Sequence, residues 1–302
     1  MEKFEKTEFG DSVLYHGDCF EILPQLDVTA DAVITDSPFG ITACEWDDKI
    51  DLPRFWELAN AKTKPTANFV MFGCGKFSID LINSNYSGYR YDLIWAKNNR
   101  VGFFNANLQP LRAHEQILVF GKNGNMVAST YNPLKTPGGR PRVNRTKRRS
   151  GGVYPAGEAS TTISDGTTNP ISVLAFDHDR GNGQQGLHPC QKPLNLLGWL
   201  VMTYTNANDL IIDPYCGSGT TLDAALRLNR RFVGVERDPK YYEIARTRLA
   251  ESWRRKTARR RLTYLSLPNP TDTAPEAGSA IPPETESQQS NGEATNLQED
   301  LT

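Results

Sequence analysis

Two short strings hold the residues best suited to chemistry. Asp36-Ser37-Pro38-Phe39 follows the apolar run Ala32-Val33-Ile34-Thr35, and Asp213-Pro214-Tyr215-Cys216-Gly217-Ser218-Gly219-Thr220-Thr221 follows Leu210-Ile211-Ile212. Each run reads as a buried strand that ends in a carboxylate, at the edge where open α/β sheets hold ligands. The first string offers a carboxylate and a backbone carbonyl, two acceptors that suit an amino group, beside an aromatic ring. Two acceptors on an aromatic exocyclic amine favour its pyramidal form and free its lone pair for attack, an electrostatic effect that works best where water is excluded. In the second string, Gly217 and Gly219 permit a close approach that a side chain would block. Thr220 and Thr221 then open a helix whose first amides favour an anionic group. One unit later Arg231-Phe232-Val233-Gly234-Val235 ends in Glu236. An acid at that place typically accepts hydrogen bonds from ribose hydroxyls.

Such loops need a sheet to position them. Short apolar runs predict strands at Val13–His16, Ala32–Thr35, Ala67–Phe72, Tyr91–Trp95, Gln116–Phe120, Leu210–Ile212 and Phe232–Val235. Between them helices are expected at Phe55–Lys62, Ser78–Ser84, Leu194–Tyr204, Thr220–Leu228 and Lys240–Trp253. Alternation of this kind implies mostly parallel strands joined by crossovers, hence one α/β sheet covered on both faces. Residues 123–187 break the pattern. They are rich in Gly, Pro, Ser, Thr and Arg without a sustained period, and a structureless span of that length in a compact domain is usually functional. They read as an irregular insert carrying substrate contacts.

Composition narrows the classes. The 302 residues, 38% of them hydrophobic, suffice for one large core with a small appendage. The longest apolar stretch, near Leu196 to Tyr204, is too short to span a bilayer. A charged N-terminus without an apolar signal region, and five cysteines without CxxC pairing, argue against a disulfide framework or a zinc site and fit a cytoplasmic protein. The net charge of −1 conceals a segregation: from Leu262 onward there are seven acids and no Lys or Arg. Residues 266–302 are expected to form a disordered acidic tail, and the rest of the chain is mildly basic. One basic cluster is Arg140, Arg142, Arg145, Lys147, Arg148 and Arg149, inside the insert. Another is Arg246, Arg248, Arg254, Arg255, Lys256, Arg259, Arg260 and Arg261, on a helix-like segment. Both suit a polyanion, since neutralised phosphates release counterions; a solvated helix face explains the second equally well.

On these motifs the chain resembles the class β amino-methyltransferases of DNA. Asp36-Ser37-Pro38-Phe39 is similar to the family's Asp-Pro-Pro-Tyr loop, and Asp213 to Arg248 is similar to its S-adenosylmethionine half. Catalytic loop first and cofactor loop last is the permuted order of that class. The resemblance covers about residues 13–122 and 188–250. It implies a single Rossmann-like methyltransferase sheet, with a catalytic half (1–122), a target-recognition insert (123–187) and a cofactor half (188–265). It also implies Asp36 and the Ser37 carbonyl as acceptors for the target amine, Phe39 stacking on the base, and Pro38 within the loop. Asp213, Tyr215, Gly217, Gly219 and Thr220 would surround the cofactor, with Glu236 on its ribose and Asp18 near its adenine. Lys192, in His188-Pro189-Cys190-Gln191-Lys192-Pro193, falls in the segment that closes over the cofactor. The arginine cluster of the insert would meet double-stranded DNA.

The departures are Ser37 for Pro, which loosens the loop, and Phe39 for Tyr, which keeps the ring. His114 and Glu115 suggest an acid–base pair, but a positioned hydrogen bond at a strand start is the better reading. Pro189-Cys190 lacks the Glu-Asn-Val partner of a cytosine-C5 methyltransferase. The expected activity is methyl transfer from S-adenosylmethionine to the N6 amine of adenine in DNA, by direct in-line attack on a base turned out of the duplex, with no metal. The leading Asp favours adenine. Cytosine-N4 methylation stays open, as does a catalytically decayed protein that binds cofactor and DNA. A homodimer, frequent among such enzymes, is also open.

Overall fold

Strands buried on both faces form the centre of the molecule, and their run-on apolar sequences follow from that burial. The computed structural model describes residues 4–40, 49–122, 129–146, 159–177 and 191–265, with the side chains of 146 and 259–265 set aside. In chain order the first half comprises β1 (Lys6–Phe9), β2 (Ser12–His16), α1 (Cys19–Gln25), β3 (Ala30–Thr35), α2 (Leu52–Ala61), β4 (Thr63–Gly73), α3 (Gly75–Ser84), β5 (Tyr89–Val101) and β6 (Arg112–Gly121). Five short strands come next: β7 (Thr136–Pro137), β8 (Arg142–Thr146), β9 (Ser160–Ser164), β10 (Thr167–Thr168) and β11 (Val173–Ala175). The last part holds α4 (Leu194–Tyr204), β12 (Leu210–Asp213), α5 (Thr220–Arg227), β13 (Arg231–Glu236) and α6 (Pro239–Leu265). Residues 1–259 form one unit; of a second, 260–302, only the end of α6 is described.

The main sheet runs β1-β2-β13-β12-β3-β4-β6-β5-β11. Neighbours from β2 through β4 pair in parallel, and so do β5 and β11. The pairs β1/β2, β4/β6 and β5/β6 are antiparallel. The sheet is thus the mostly parallel α/β sheet expected. Alternate side chains serve opposite layers. Ile211 of β12 packs among Leu197, Leu200, Leu222 and Ala245, the layer of α4, α5 and α6. Its neighbours Leu210 and Ile212 pack among Ile22, Phe55 and Phe77, the layer of α1, α2 and α3. With both faces covered, only the two ends of the strands are left for ligands. The C-termini of β3, β4, β12 and β13 share one end, and the antiparallel turn of β6 brings its N-terminus there too.

Two expectations need correction. The insert is not structureless: β8 pairs with β9 and β7 with β10 as small antiparallel sheets. Its last strand, β11, joins the main sheet beside β5, burying Leu174. The two- and three-residue strands are too short to show a period, and the exposed β8 and β9 have no buried face to alternate, so composition conceals them. Helix α1 is also absent from the expected elements, because Pro24 lies inside it and a proline signals a break rather than a helix. Asp18 starts that helix, its carboxylate accepting from the Phe20 amide at 2.7 Å. Residues 266–302 and the segment His188-Pro189-Cys190 lie outside the described residues.

Candidate active site

A cavity of about 660 Å³ opens at this shared strand end. Asp36, Ser37, Pro38 and Phe39 line one part of it; Asp213, Tyr215, Gly217, Thr220 and Glu236 line another, with Asp18 and Lys192 also on the wall. The two strings, far apart in sequence, meet because β3 and β12 are adjacent parallel strands. Thr35 ties them directly, its hydroxyl donating to Asp213 Oδ1 at 2.7 Å. The Tyr215 amide reaches the same oxygen at 3.2 Å. Burial pushes the Asp213 carboxyl up to about 7, against the downward pull of those hydrogen bonds.

Glu236 holds its loop through both oxygens. Oε2 accepts from the Gly217 amide at 2.8 Å and Oε1 from the Asp238 amide at 2.7 Å. Burial still leaves its carboxyl above the usual range. Gly217 has φ +53°, a conformation that favours glycine. Gly219 is different. It does not line the cavity; it caps α5 at φ +76°, where a Cβ would lie 2.9 Å from that of Ala245 on α6. Its need for glycine is helix packing.

The first string, expected to be catalytic, sits in a chain of charges that its motif does not reveal. Lys192 pairs with Asp36 Oδ2, and its Nζ lies 3.4 Å from Glu115 Oε2. Glu115 Oε1 in turn accepts from Lys97. Lys97 comes from β5 and Glu115 from β6, diagonal neighbours in a register that pairs Trp95 with Glu115. Glu115, expected to be a structural strand-start residue, is therefore part of the site wall, while His114 is exposed. Lys192, expected in the segment that closes over the cofactor, pairs with Asp36; its neighbour Gln191 meets the glycine loop, accepting from Ser218 Oγ at 3.3 Å.

Among the described residues the buried Asp36 Oδ1 has no hydrogen-bond donor and the Ser37 hydroxyl has no partner, whereas Glu115 Oε2 faces only the Lys192 ammonium at 3.4 Å. Burial is the largest influence on Asp36 and raises its carboxyl, Glu115 adds to the rise, and Lys192 opposes it. For Glu115, burial pushes upward but Lys192 and Lys97 together outweigh it and hold the carboxyl low. Phe39 stacks on Phe77 with ring centroids 4.7 Å apart, so its ring is held in place on the cavity wall.

The basic clusters part ways. Arg140, Arg142 and Arg145 are exposed on the insert, whereas Lys147, Arg148 and Arg149 lie outside the described residues. In α6, Arg248 is buried and donates to Ser218 Oγ, Thr220 Oγ1 and Gln191 Oε1, so it pins the glycine loop and meets no polyanion. Arg246 and Arg255 pair with Glu243 and Glu251 of their own helix, as a solvated face would. Among the described residues no group of His, Cys, Asp and Glu is placed to hold a metal ion, and no helix is long and apolar enough to cross a membrane.

Residues 30–247, which carry both strings and the charge chain, match the family model for DNA methylase. The chain belongs to the DNA methylase family. It is 36% identical over 152 residues to the Type II methyltransferase M.HindIII of Haemophilus influenzae, covering 50% of this chain and 44% of that one. It is 43% identical over 67 residues to the Type II methyltransferase M2.MboI of Moraxella bovis, covering 22% and 24%. The chain thus aligns with less than half the length of these curated relatives. The solved structure of the M1.HpyAVI–SAM complex is similar over 78% of this methylase and 98% of that chain, with a TM-score of 0.54 and 25% identity. The PvuII DNA methyltransferase (cytosine-N4-specific) shares the fold over 84% and 96%, at TM-score 0.57 and 18% identity.

Proposed function

We propose that this methylase transfers a methyl group from S-adenosylmethionine to the N6 amine of adenine in double-stranded DNA, the base being turned out of the helix into the Asp36 end of the cavity. The reading is carried by Asp36, whose Oδ1 is a buried acceptor without a donor among the described residues and which lines one cavity with the Gly217–Glu236 loop. The loop end fits the cofactor in its chemistry: Asp18, Asp213, Glu236 and Asp238 line it with acceptors suited to ribose hydroxyls and an ammonium group. When bound, S-adenosylmethionine supplies a methyl group activated by a sulfonium. The protein's own work is positioning. Lys192 holds one oxygen of Asp36, and the other is buried without a donor among the described residues, on a residue that lines the cavity. Asp36 Oδ1 and the Ser37 carbonyl accept the two amine hydrogens, concentrating the nitrogen lone pair. Phe39, braced on Phe77, stacks on the base and helps offset the few kcal/mol that unstacking costs. Glu115 and Lys97 keep Lys192 from swinging away. The insert, residues 123–187, presents Arg140, Arg142 and Arg145 to the DNA backbone.

The test is a transfer assay on unmethylated genomic DNA with labelled S-adenosylmethionine, digested to nucleosides and resolved by mass. N6-methyladenine is the expected product. N4-methylcytosine would keep the chemistry and overturn the base assignment. No transfer, with cofactor and DNA still bound, would make the chain a binding protein.

A further inference from the structure

The hairpin between β5 and β6 ends in an apolar tip that none of the described residues covers. All residues from 101 to 110 are exposed, and Phe103, Phe104 and Leu108 retain 65%, 105% and 85% of their full accessible surface. The tip is a built element. Phe103–Asn105 forms a 3₁₀ turn, the Asn105 amide donates to the Gly102 carbonyl at 3.0 Å, and the amides of Leu108 and Gln109 both donate to the Asn105 carbonyl. Its base is the cavity wall: Val101 and Arg112 are register partners, and both line the cavity. Between Asp92 and Glu115 the hairpin has no acidic residue, while it carries Lys97, Arg100 and Arg112. An apolar tip on a basic, acid-free stalk whose base lines the cavity of about 660 Å³ suits a partner with an anionic rim and an apolar interior.

We infer that this tip is a wedge that enters the DNA stack beside the target base. Phe103 and Phe104 fill the space the base vacates, stacking on its former neighbours, as apolar side chains do at unstacked steps. The tip thereby lowers the cost of extrusion and raises the time the base spends in the Asp36 pocket. The inference rests on the proposed methyl transfer to DNA and adds a DNA contact outside the cofactor loop and the insert's arginines.

The test uses the full chain with Phe103→Ser and Phe104→Ser together; both side chains are exposed, so the core is untouched and the melting temperature is expected to match the parent. The substrate is a duplex bearing the site this enzyme modifies, mapped by sequencing of the methylated genome. A second duplex lacks the base opposite the target. On the intact duplex the double variant is expected to lose roughly ten- to a hundredfold in kcat/KM, the range of lost base–aromatic stacking. On the duplex missing the partner base, extrusion is already eased and most of the loss is expected to vanish. An equal loss on both would reduce the tip to a general DNA contact and overturn the inference, as would no loss on either. A change of sedimentation coefficient in the variant would make the tip a contact between two copies, and also overturn it. Failure of the parent to methylate any DNA is a separate result: it removes the methyl-transfer reading, and the wedge with it.

Discussion

Replacing Lys192 by Met isolates what the charge chain does. Lys192 holds Asp36 Oδ2 while burial presses that carboxyl toward its neutral form. Two unit charges 4 Å apart interact by about 4 kcal/mol at an effective dielectric constant of 20. At about 1.4 kcal/mol per pH unit that is roughly three units at most. Asp36 keeps 28% of its side-chain exposure, so solvent screening lowers the figure to on the order of one to two units. The sign follows from the loss of a cation: the carboxyl becomes harder to ionise, and its titration moves to higher pH. The acid limb of kcat/KM, measured across the acid to mildly alkaline range by single-turnover methyl transfer, is expected to shift alkaline by that amount. Glu115→Gln removes a negative charge that raises Asp36, so its limb is expected to shift the opposite way. A merely structural lysine would lower the rate at every pH and leave the limb in place. Coincident limbs for Lys192→Met and the parent would refute the reasoning.

Three further outcomes are expected. Asp213 titrates at about 7 because it is buried, and a cofactor ammonium placed beside it would pull that value down. S-adenosylmethionine binding just below neutral pH should therefore release protons, seen as a buffer-dependent enthalpy in calorimetry and absent in Asp213→Asn. Gly219→Ala, at φ +76° and against Ala245, is expected to cost about 1–3 kcal/mol and several degrees of melting temperature; an unchanged transition would mean the α5–α6 contact is looser than its geometry. Arg142→Glu with Arg145→Glu should weaken DNA binding and flatten its salt dependence, measured by fluorescence anisotropy over a salt titration. A parental slope would remove the β8–β9 hairpin from the DNA face.

The frame of the site was legible because its strands are buried on both sides. Ala32 to Thr35 and Leu210 to Ile212 are uninterrupted apolar runs, and a parallel sheet presents to ligand the residues just past the end of such a run. Helix α4 was readable to its ends for a related reason, since Leu196, Leu197, Leu200 and Val201 repeat at helical spacing. The charge chain was hidden. Lys97 and Glu115 look like surface residues in sequence and become neighbours only through the antiparallel pairing of β5 and β6. Arg248 misled for the opposite reason: it sits in a basic run, yet its place on α6 turns it inward to the glycine loop. Strand β11 was beyond reach, because three residues carry no period.

That short strand has a consequence for anyone wishing to retarget the enzyme. It closes the outer edge of the sheet: Val173, Leu174 and Ala175 pair with Ile94, Trp95 and Ala96. The Ser172 carbonyl accepts from the Ile94 amide at 2.8 Å, and the Phe176 carbonyl from the Trp95 indole at 2.9 Å. A graft that replaces everything from 123 to 187 would strip this edge, leaving a row of unpaired backbone groups open to other chains. It would also leave the Trp95 ring nitrogen without its acceptor, directly beneath Lys97. A transplant confined to 134–171 exchanges β7 to β10 and keeps both the seam and the hydrogen bonds that Thr130 and Asn132 make to Asn68 and Met202. The insert is therefore portable only up to the strand that sews it shut.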